Sequence, residues 1–231
     1  MTVSTRVIPC LLLKGRGLVK TIRFSDPTYV GDPINAVRIF NEREVDELIL
    51  LDITATPQNK PPNFDLIEEV VGEAFIPVAY GGGIRTIDDA KKVICLGVEK
   101  IVIASAALTN PALISQAAKA LGSQSVVVCL DAKKNLIRKG HCLRGGGGKT
   151  STDIDPVAFA KRVAEMGAGE IVIQSIDRDG TQTGYDIDLV RAVVDAVEIP
   201  VVAMGGARNL EDVADVIKRG GASAAAAGSM F

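Results

Sequence analysis

"IPVAYGGGIRTIDDAKKVI", residues 76–94, lies over "IPVVAMGGARNLEDVADVI", residues 199–217, at an offset of 123. Each copy opens on an apolar run and passes through paired glycines. It then continues with acidic residues followed by apolar residues at helical spacing. The order is strand, glycine turn, helix. The offset holds further out: "ELILLDITATP" (47–57) lies over "EIVIQSIDRDG" (170–180), and "DLIEEVV" (65–71) over "DLVRAVV" (188–194). Nearer the N-terminus, "CLLLK" (10–14) matches "CLDAK" (129–133) at an offset of 119, so the intervening loops differ by four residues. The chain reads as one domain made of two half-repeats, about 1–122 and 123–231.

Eight strands are predicted, at 7–13, 48–53, 76–80, 100–104, 125–131, 170–175, 199–204 and 222–228. They are apolar and nearly free of charge, as strands buried on both faces of a parallel sheet must be. Helical patterns fall between them at 32–45, 64–74, 86–96, 110–120, 154–166, 187–197 and 209–219, with Thr86 and Asn209 as candidate N-caps. Eight strands in a twofold repeat point to an α/β fold, a (β/α)8 TIM barrel. A doubly wound open sheet accounts for the repeat less well. The sequence stops at "AAAAGSMF", just after the eighth predicted strand, so an eighth helix is expected to be missing or truncated.

The net charge of −2 gives no general attraction to nucleic acid or an anionic membrane. No apolar run approaches the roughly 20 residues needed to cross a bilayer, and the N-terminus lacks a basic region followed by an apolar signal-like core. Cys10, Cys95, Cys129 and Cys142 have no CxxC spacing and read as reduced thiols of a cytoplasmic protein. No cluster has metal-ligand spacing, and no cofactor is implied.

In such a barrel the chemistry sits at the C-terminal ends of the strands. Gly82 and Gly83 follow the third strand, beside Ser105 after the fourth. Gly206 follows the seventh, beside Gly228 and Ser229 after the eighth. Paired glycines let backbone N–H groups approach an anion, or simply permit tight turns. Two symmetry-related pairs, each with a hydroxyl one strand on, suit a ligand with a phosphate at each end. Between them Leu12 and Asp131 face each other across the mouth. Asp131 is a candidate general acid or base, or else an ion-pair partner of Lys133 or Lys14. At the opposite end Arg6, Glu47, Lys100 and Glu170 stand at strand starts, where two bases and two acids can close the floor by pairing. "GGGGKT" (145–150) resembles a P-loop but has Leu143 where the motif needs glycine, so it reads as a flexible loop. His141, the only histidine, reads as a solvated loop residue.

"RVIPCLLLKGRGLVK", "DELILLDITAT", "YGGGI", "GSQSVVVCLDAK", "GAGEIVIQSIDRDGTQTGYD" and "AGSMF" together resemble the cyclase subunit of imidazole glycerol phosphate synthase, over essentially the whole chain. The resemblance implies a barrel of histidine biosynthesis that receives ammonia from a glutaminase subunit docked on its floor. That ammonia splits a bisphosphorylated phosphoribulosyl-formimino aminoimidazole carboxamide ribonucleotide into imidazole glycerol phosphate and AICAR. It implies that Asp131 is the second catalytic aspartate, the general base, and that Leu12 stands where the first catalytic aspartate, the general acid, belongs. Lys20 would be a lysine of the mobile first loop. Gly83, Ser105, Asp179, Gly180, Gly206 and Ser229 fall in phosphate-site segments, with Ala104 replacing an asparagine. Arg6, Glu47, Lys100 and Glu170 match a charged ammonia gate. "IPCLLLK…LVKT" and "DPINAVRIFNEREVDELI" look like a branch associated with surface polysaccharides, in which the barrel is an ammonia conduit for a sugar amidotransferase. A phosphate-binding isomerase of the sister barrel family would also need aspartates on strands one and five, which Leu12 opposes.

Overall fold

In a computed structural model, which describes residues 5–135 and 140–231, the chain closes into a (β/α)8 barrel. The elements run β1 (Arg6–Lys14), β2 (Gly17–Ile22), β3 (Ser25–Gly31), α1 (Pro33–Glu42), β4 (Leu48–Asp52), α2 (Phe64–Glu73), β5 (Val78–Gly81) and α3 (Ile87–Cys95). Then come β6 (Lys100–Ile103), α4 (Ser105–Thr109), α5 (Ala112–Leu121), β7 (Val126–Lys134), β8 (His141–Gly145), β9 (Thr150–Ser151) and α6 (Pro156–Glu165). The last are β10 (Glu170–Ser175), α7 (Ile187–Val194), β11 (Val201–Met204), α8 (Leu210–Lys218) and β12 (Ala224–Ala227).

The barrel is β1-β4-β5-β6-β7-β10-β11-β12, every pair parallel, closed where Arg6–Pro9 pair with Ala224–Ala227. Helix starts repeat with the sequence. Asp32 caps α1 ahead of Pro33, as Asp155 caps α6 ahead of Pro156; Asn63 caps α2 as Asp186 caps α7; Thr86 caps α3 as Asn209 caps α8. Each side-chain oxygen accepts a backbone N–H that the first helical turn leaves without a partner. No helix follows β12 within the sequence. The ring of Phe231 lies edge-on to Phe40 of α1, with centroids 5.7 Å apart.

Two apolar layers result. The larger joins the outward strand faces to the helices, with Leu50, Tyr80, Ile101, Val128 and Ile171 fully enclosed. The smaller fills the barrel's interior with Ile8, Cys10, Ile49, Val102, Val127, Cys129 and Val172. Successive strand residues face opposite sides. Arg6, Ile8, Cys10 and Leu12 therefore climb the inside of β1 from floor to mouth. Glu170, Val172 and Gln174 climb β10, and Val127, Cys129 and Asp131 climb β7.

Two hairpins depart from the expected plan. β2 and β3 form an antiparallel extension of β1, and β8 with β9 an extension of β7. The segment expected to be a loop at 145–150 is thus the turn and edge of a hairpin. Gly146, Gly147 and Gly148 hold its tight bend with φ of 58°, 67° and 83°, a left-handed run that side chains resist.

Candidate active site

Asp131 projects from β7 into a cavity of about 470 Å³ at the mouth. It is 9% exposed, and among the described residues it has no ion pair with Lys133 or Lys14. The Cys129 thiol points at its Oδ1 from 3.5 Å. Burial pushes the Asp131 carboxyl up to about 7. The Cys129 thiol offsets part of that rise, and the charge of Asp179 adds to it. Burial also drives the Cys10 thiol up to about 12 and raises that of Cys129, so both stay protonated. Leu12 lines the same cavity and offers no proton.

The glycine turns repeat in atomic detail. A Cβ on Gly82 would meet the Asp52 carbonyl oxygen at 2.5 Å, and one on Gly205 the Ser175 carbonyl oxygen at 2.8 Å. Gly83 is pressed against Pro61, and Gly206 against the Gly184 carbonyl. Backbone packing alone therefore requires these glycines, and any case for an anion rests on what surrounds them. Gly82, Gly83 and Ser105 line the large cavity with Lys14 and Lys149. Gly206, Gly228 and Ser229 line a second cavity of about 60 Å³ with Lys20, Asp179 and Gly180. The Lys20 ammonium is turned to the Phe231 carbonyl, 2.8 Å away.

The smaller cavity is tight because the β2–β3 hairpin lies over it, secured on Asp179. Thr21 Oγ1 (2.8 Å) and the Phe24 N–H (3.2 Å) donate to Asp179 Oδ2, and Arg23 N–H donates to its carbonyl (2.9 Å). Gly180 lets the Thr21 carbonyl come so close that a Cβ would sit 2.0 Å from it. Burial raises the Asp179 carboxyl, against the pull of the bonds from Thr21, Phe24 and Gln174.

Gln174 is the residue that reading strand ends misses. It is 5% exposed, pairs in register with Asp131, and lines both cavities, as Leu12 and Thr21 do. Its Nε2 lies 3.4 Å from Asp179 Oδ1. The period-two climb from Glu170 is the signal that could have found it.

At the floor the four charges form a closed square. Arg6 reaches Glu47 (2.6 Å) and Glu170, and Lys100 reaches Glu47 (2.9 Å) and Glu170 (3.0 Å). Burial works against the Arg6 guanidinium, but Glu170 and Glu47 outweigh it and hold its pKa above the ordinary value.

The model of a histidine biosynthesis protein family matches residues 6–231. The chain belongs to that family. It is 52% identical over 229 residues to the Pseudomonas aeruginosa protein named "Putative imidazole glycerol phosphate synthase subunit hisF2", covering 99% of this chain and 91% of the relative. It is 46% identical to "Putative imidazole glycerol phosphate synthase subunit hisF3" of Vibrio vulnificus over 98% of this chain and 87% of the relative. It is 42% identical to "Imidazole glycerol phosphate synthase subunit HisF" of Streptococcus mutans over 98% of this chain and 90% of the relative.

Within this member of the family, His141 departs from the sequence reading. It is not a solvated loop residue. Its Nε2 lies 3.2 Å from Asp186 Oδ2, with both side chains largely buried. Burial would raise the Asp186 carboxyl, but the bonds from His141 and the Leu189 N–H win and lower it. Among the described residues no group of three or more His, Cys, Asp or Glu side chains could hold a metal ion. No described helix is long and apolar enough to cross a membrane.

Proposed function

We propose that this chain is a cytoplasmic cyclase-type subunit of imidazole glycerol phosphate synthase. It is a lyase that uses ammonia from a glutaminase partner to convert the bisphosphorylated aminoimidazole carboxamide ribonucleotide to imidazole glycerol phosphate and AICAR. The observation that carries this reading is the position of Asp131. It is the buried carboxyl on the wall of the larger cavity, between two glycine-and-serine turns related by the repeat, in a chain of the histidine biosynthesis family. A substrate with a phosphate at each end would run from Gly82, Gly83 and Ser105 to Asp179, Gly180, Gly206, Gly228 and Ser229, past Asp131. Lys20 would meet it from the β2–β3 hairpin.

Ammonia is neutral as it attacks and gains positive charge as its nitrogen bonds to carbon. A carboxylate that accepts a proton from that nitrogen lowers the barrier. Asp131, with a pKa of about 7, is ionised in half or more of the molecules at neutral pH and above. Once protonated, it can return the proton to the departing AICAR nitrogen. One carboxyl group would serve both steps, since Leu12 cannot share them. The carbonyl oxygen displaced by the ammonia nitrogen as the ring closes leaves as water. Arg6, Glu47, Lys100 and Glu170 would admit ammonia at the floor. The apolar interior above them favours the neutral molecule over the ammonium ion.

A second reading is favoured by Leu12 itself: a barrel that has given up ring closure and passes ammonia to a sugar amidotransferase. The deciding experiment is turnover of the bisphosphorylated ribonucleotide with saturating ammonium salt, for the native chain and for Leu12→Asp. The lyase reading expects measurable native turnover, raised by about 10²-fold in the variant. Turnover confined to Leu12→Asp would overturn it in favour of the conduit. Both readings expect saturable binding of the glutaminase in calorimetric titration.

A further inference from the structure

The glycine turn between β8 and β9 carries a lysine that the proposed reaction does not use. We infer that Lys149 is the cation that neutralises the phosphate at Gly82, Gly83 and Ser105, and so sets the charge specificity of the larger cavity. This rests on the reading that a phosphorylated ligand occupies that cavity.

Lys149 and Gly147 line the same cavity as Gly82, Gly83 and Ser105. Two lysines, Lys149 and Lys14, line it, and neither has an ion pair among the described residues. The carboxylates lining the cavity do not quench them. Asp52 Oδ1 accepts from Thr54 N, Thr54 Oγ1 and Ala55 N, and Asp131 lies deeper, beside Cys129.

Lys149 is preferred to Lys14 because its turn is tied to the same hydroxyl. The Gly146 N–H donates to Ser105 Oγ at 2.9 Å. That bond uses a Ser105 lone pair and leaves the hydroxyl hydrogen for an anion. A phosphate that accepts from Ser105 therefore meets the side of the cavity where Gly146 is anchored, three residues before Lys149. The left-handed bend at Gly146–Gly148 leads from that anchor to Lys149 on the cavity wall.

The test is calorimetric binding of the bisphosphorylated ribonucleotide at low and raised salt, with inorganic phosphate as competitor. Lys149→Gln should weaken binding about tenfold to a hundredfold, the scale of one charge-assisted hydrogen bond, and flatten the salt dependence. Lys149→Arg should stay within about threefold of the native chain, because the charge is kept. Lys14→Gln should change affinity less than Lys149→Gln. Native binding with Lys149→Gln unchanged would overturn this inference and leave the proposed function standing. Equal losses in Lys149→Gln and Lys149→Arg, with the salt slope unchanged, would assign the residue to loop packing and also overturn it. If the native chain binds neither the ribonucleotide nor phosphate, the proposed function falls and this inference with it.

Discussion

The first half of the chain has Thr56 where the second half, 123 residues on, has Asp179. Around that difference the two ends of the mouth diverge. Asp179 holds the β2–β3 hairpin through Thr21, Phe24 and Arg23, leaving a cavity of about 60 Å³. Thr56 lines the cavity of about 470 Å³, whose overhanging hairpin is tied to the cup by the bond from Gly146 N to Ser105 Oγ. The turns beneath are alike, and so are the helix caps. The repeat thus keeps one scaffold at both ends, while a single carboxylate distinguishes them. The same lesson holds at the mouth's centre, where Leu12 faces Asp131.

The sharpest way to break that comparison is Asp131→Asn. If Asp131 alone supplies the acid–base chemistry, ammonium-dependent turnover should fall about 10²- to 10⁴-fold. Leu12→Ala, on the other side, should leave turnover within about tenfold. In the native chain the pH–rate profile should rise with an apparent pKa near 7, the value burial imposes on Asp131. A flat profile between pH 6 and 8 would remove Asp131 from the rate-determining step.

The same carboxyl should register in stability. Its folded pKa is raised, so between about pH 4 and 7 the folded state binds more protons than the unfolded state. Stability therefore falls as pH rises through that window. The shift from 3.8 to about 7 corresponds to as much as about 4 kcal/mol. Denaturant unfolding of native and Asp131→Asn chains at pH 4.5 and 7.5 should show the variant gaining on the native chain by up to about 3 kcal/mol, the part of that amount lying between the two pH values.

At the floor the halves are equal, and equal effects are expected. Glu47→Ala and Glu170→Ala each leave Arg6 and Lys100 with one buried partner fewer. Each should cost about 3 kcal/mol by urea denaturation. A difference of more than about 1 kcal/mol between them would show that the symmetry seen in the mouth's turns does not extend to the floor's energetics.

The smallest effect belongs to the clasp. Thr21→Val removes one hydrogen bond to Asp179 and should cost about 1 kcal/mol. Hydrogen exchange at the Arg23 and Phe24 amides should quicken about fivefold to tenfold, since these amides report hairpin opening. Unchanged exchange there would mean that packing of Gly180 under Thr21, not the carboxylate, holds the hairpin down.

Most of the barrel was legible because strands buried on both faces and capped helices repeat at a fixed offset. The floor charges could be recognised as a set, since charge at the start of an otherwise apolar strand has few other uses. The hairpins were not legible. The β2–β3 hairpin turns on left-handed non-glycine residues, Arg23, Phe24 and Asp26, which composition does not announce, and the glycine run that bends β8 into β9 reads only as a loop. Gln174 was hidden one residue inside the strand end. The link from His141 to Asp186 spans 45 positions and arises only when β8 folds back toward α7. Short α4 was likewise absent from the reading, being a five-residue turn in the crossover before α5.

In the floor square each of the four charges holds both neighbours of opposite sign. No member can swing aside by letting go of one partner only. An opening wide enough for a small molecule needs two ion pairs to part together, and the square re-forms as soon as they meet. Traffic across the floor would then come as brief, separate events and not as a steady seep, with the interval between them set by how often both pairs happen to loosen at once.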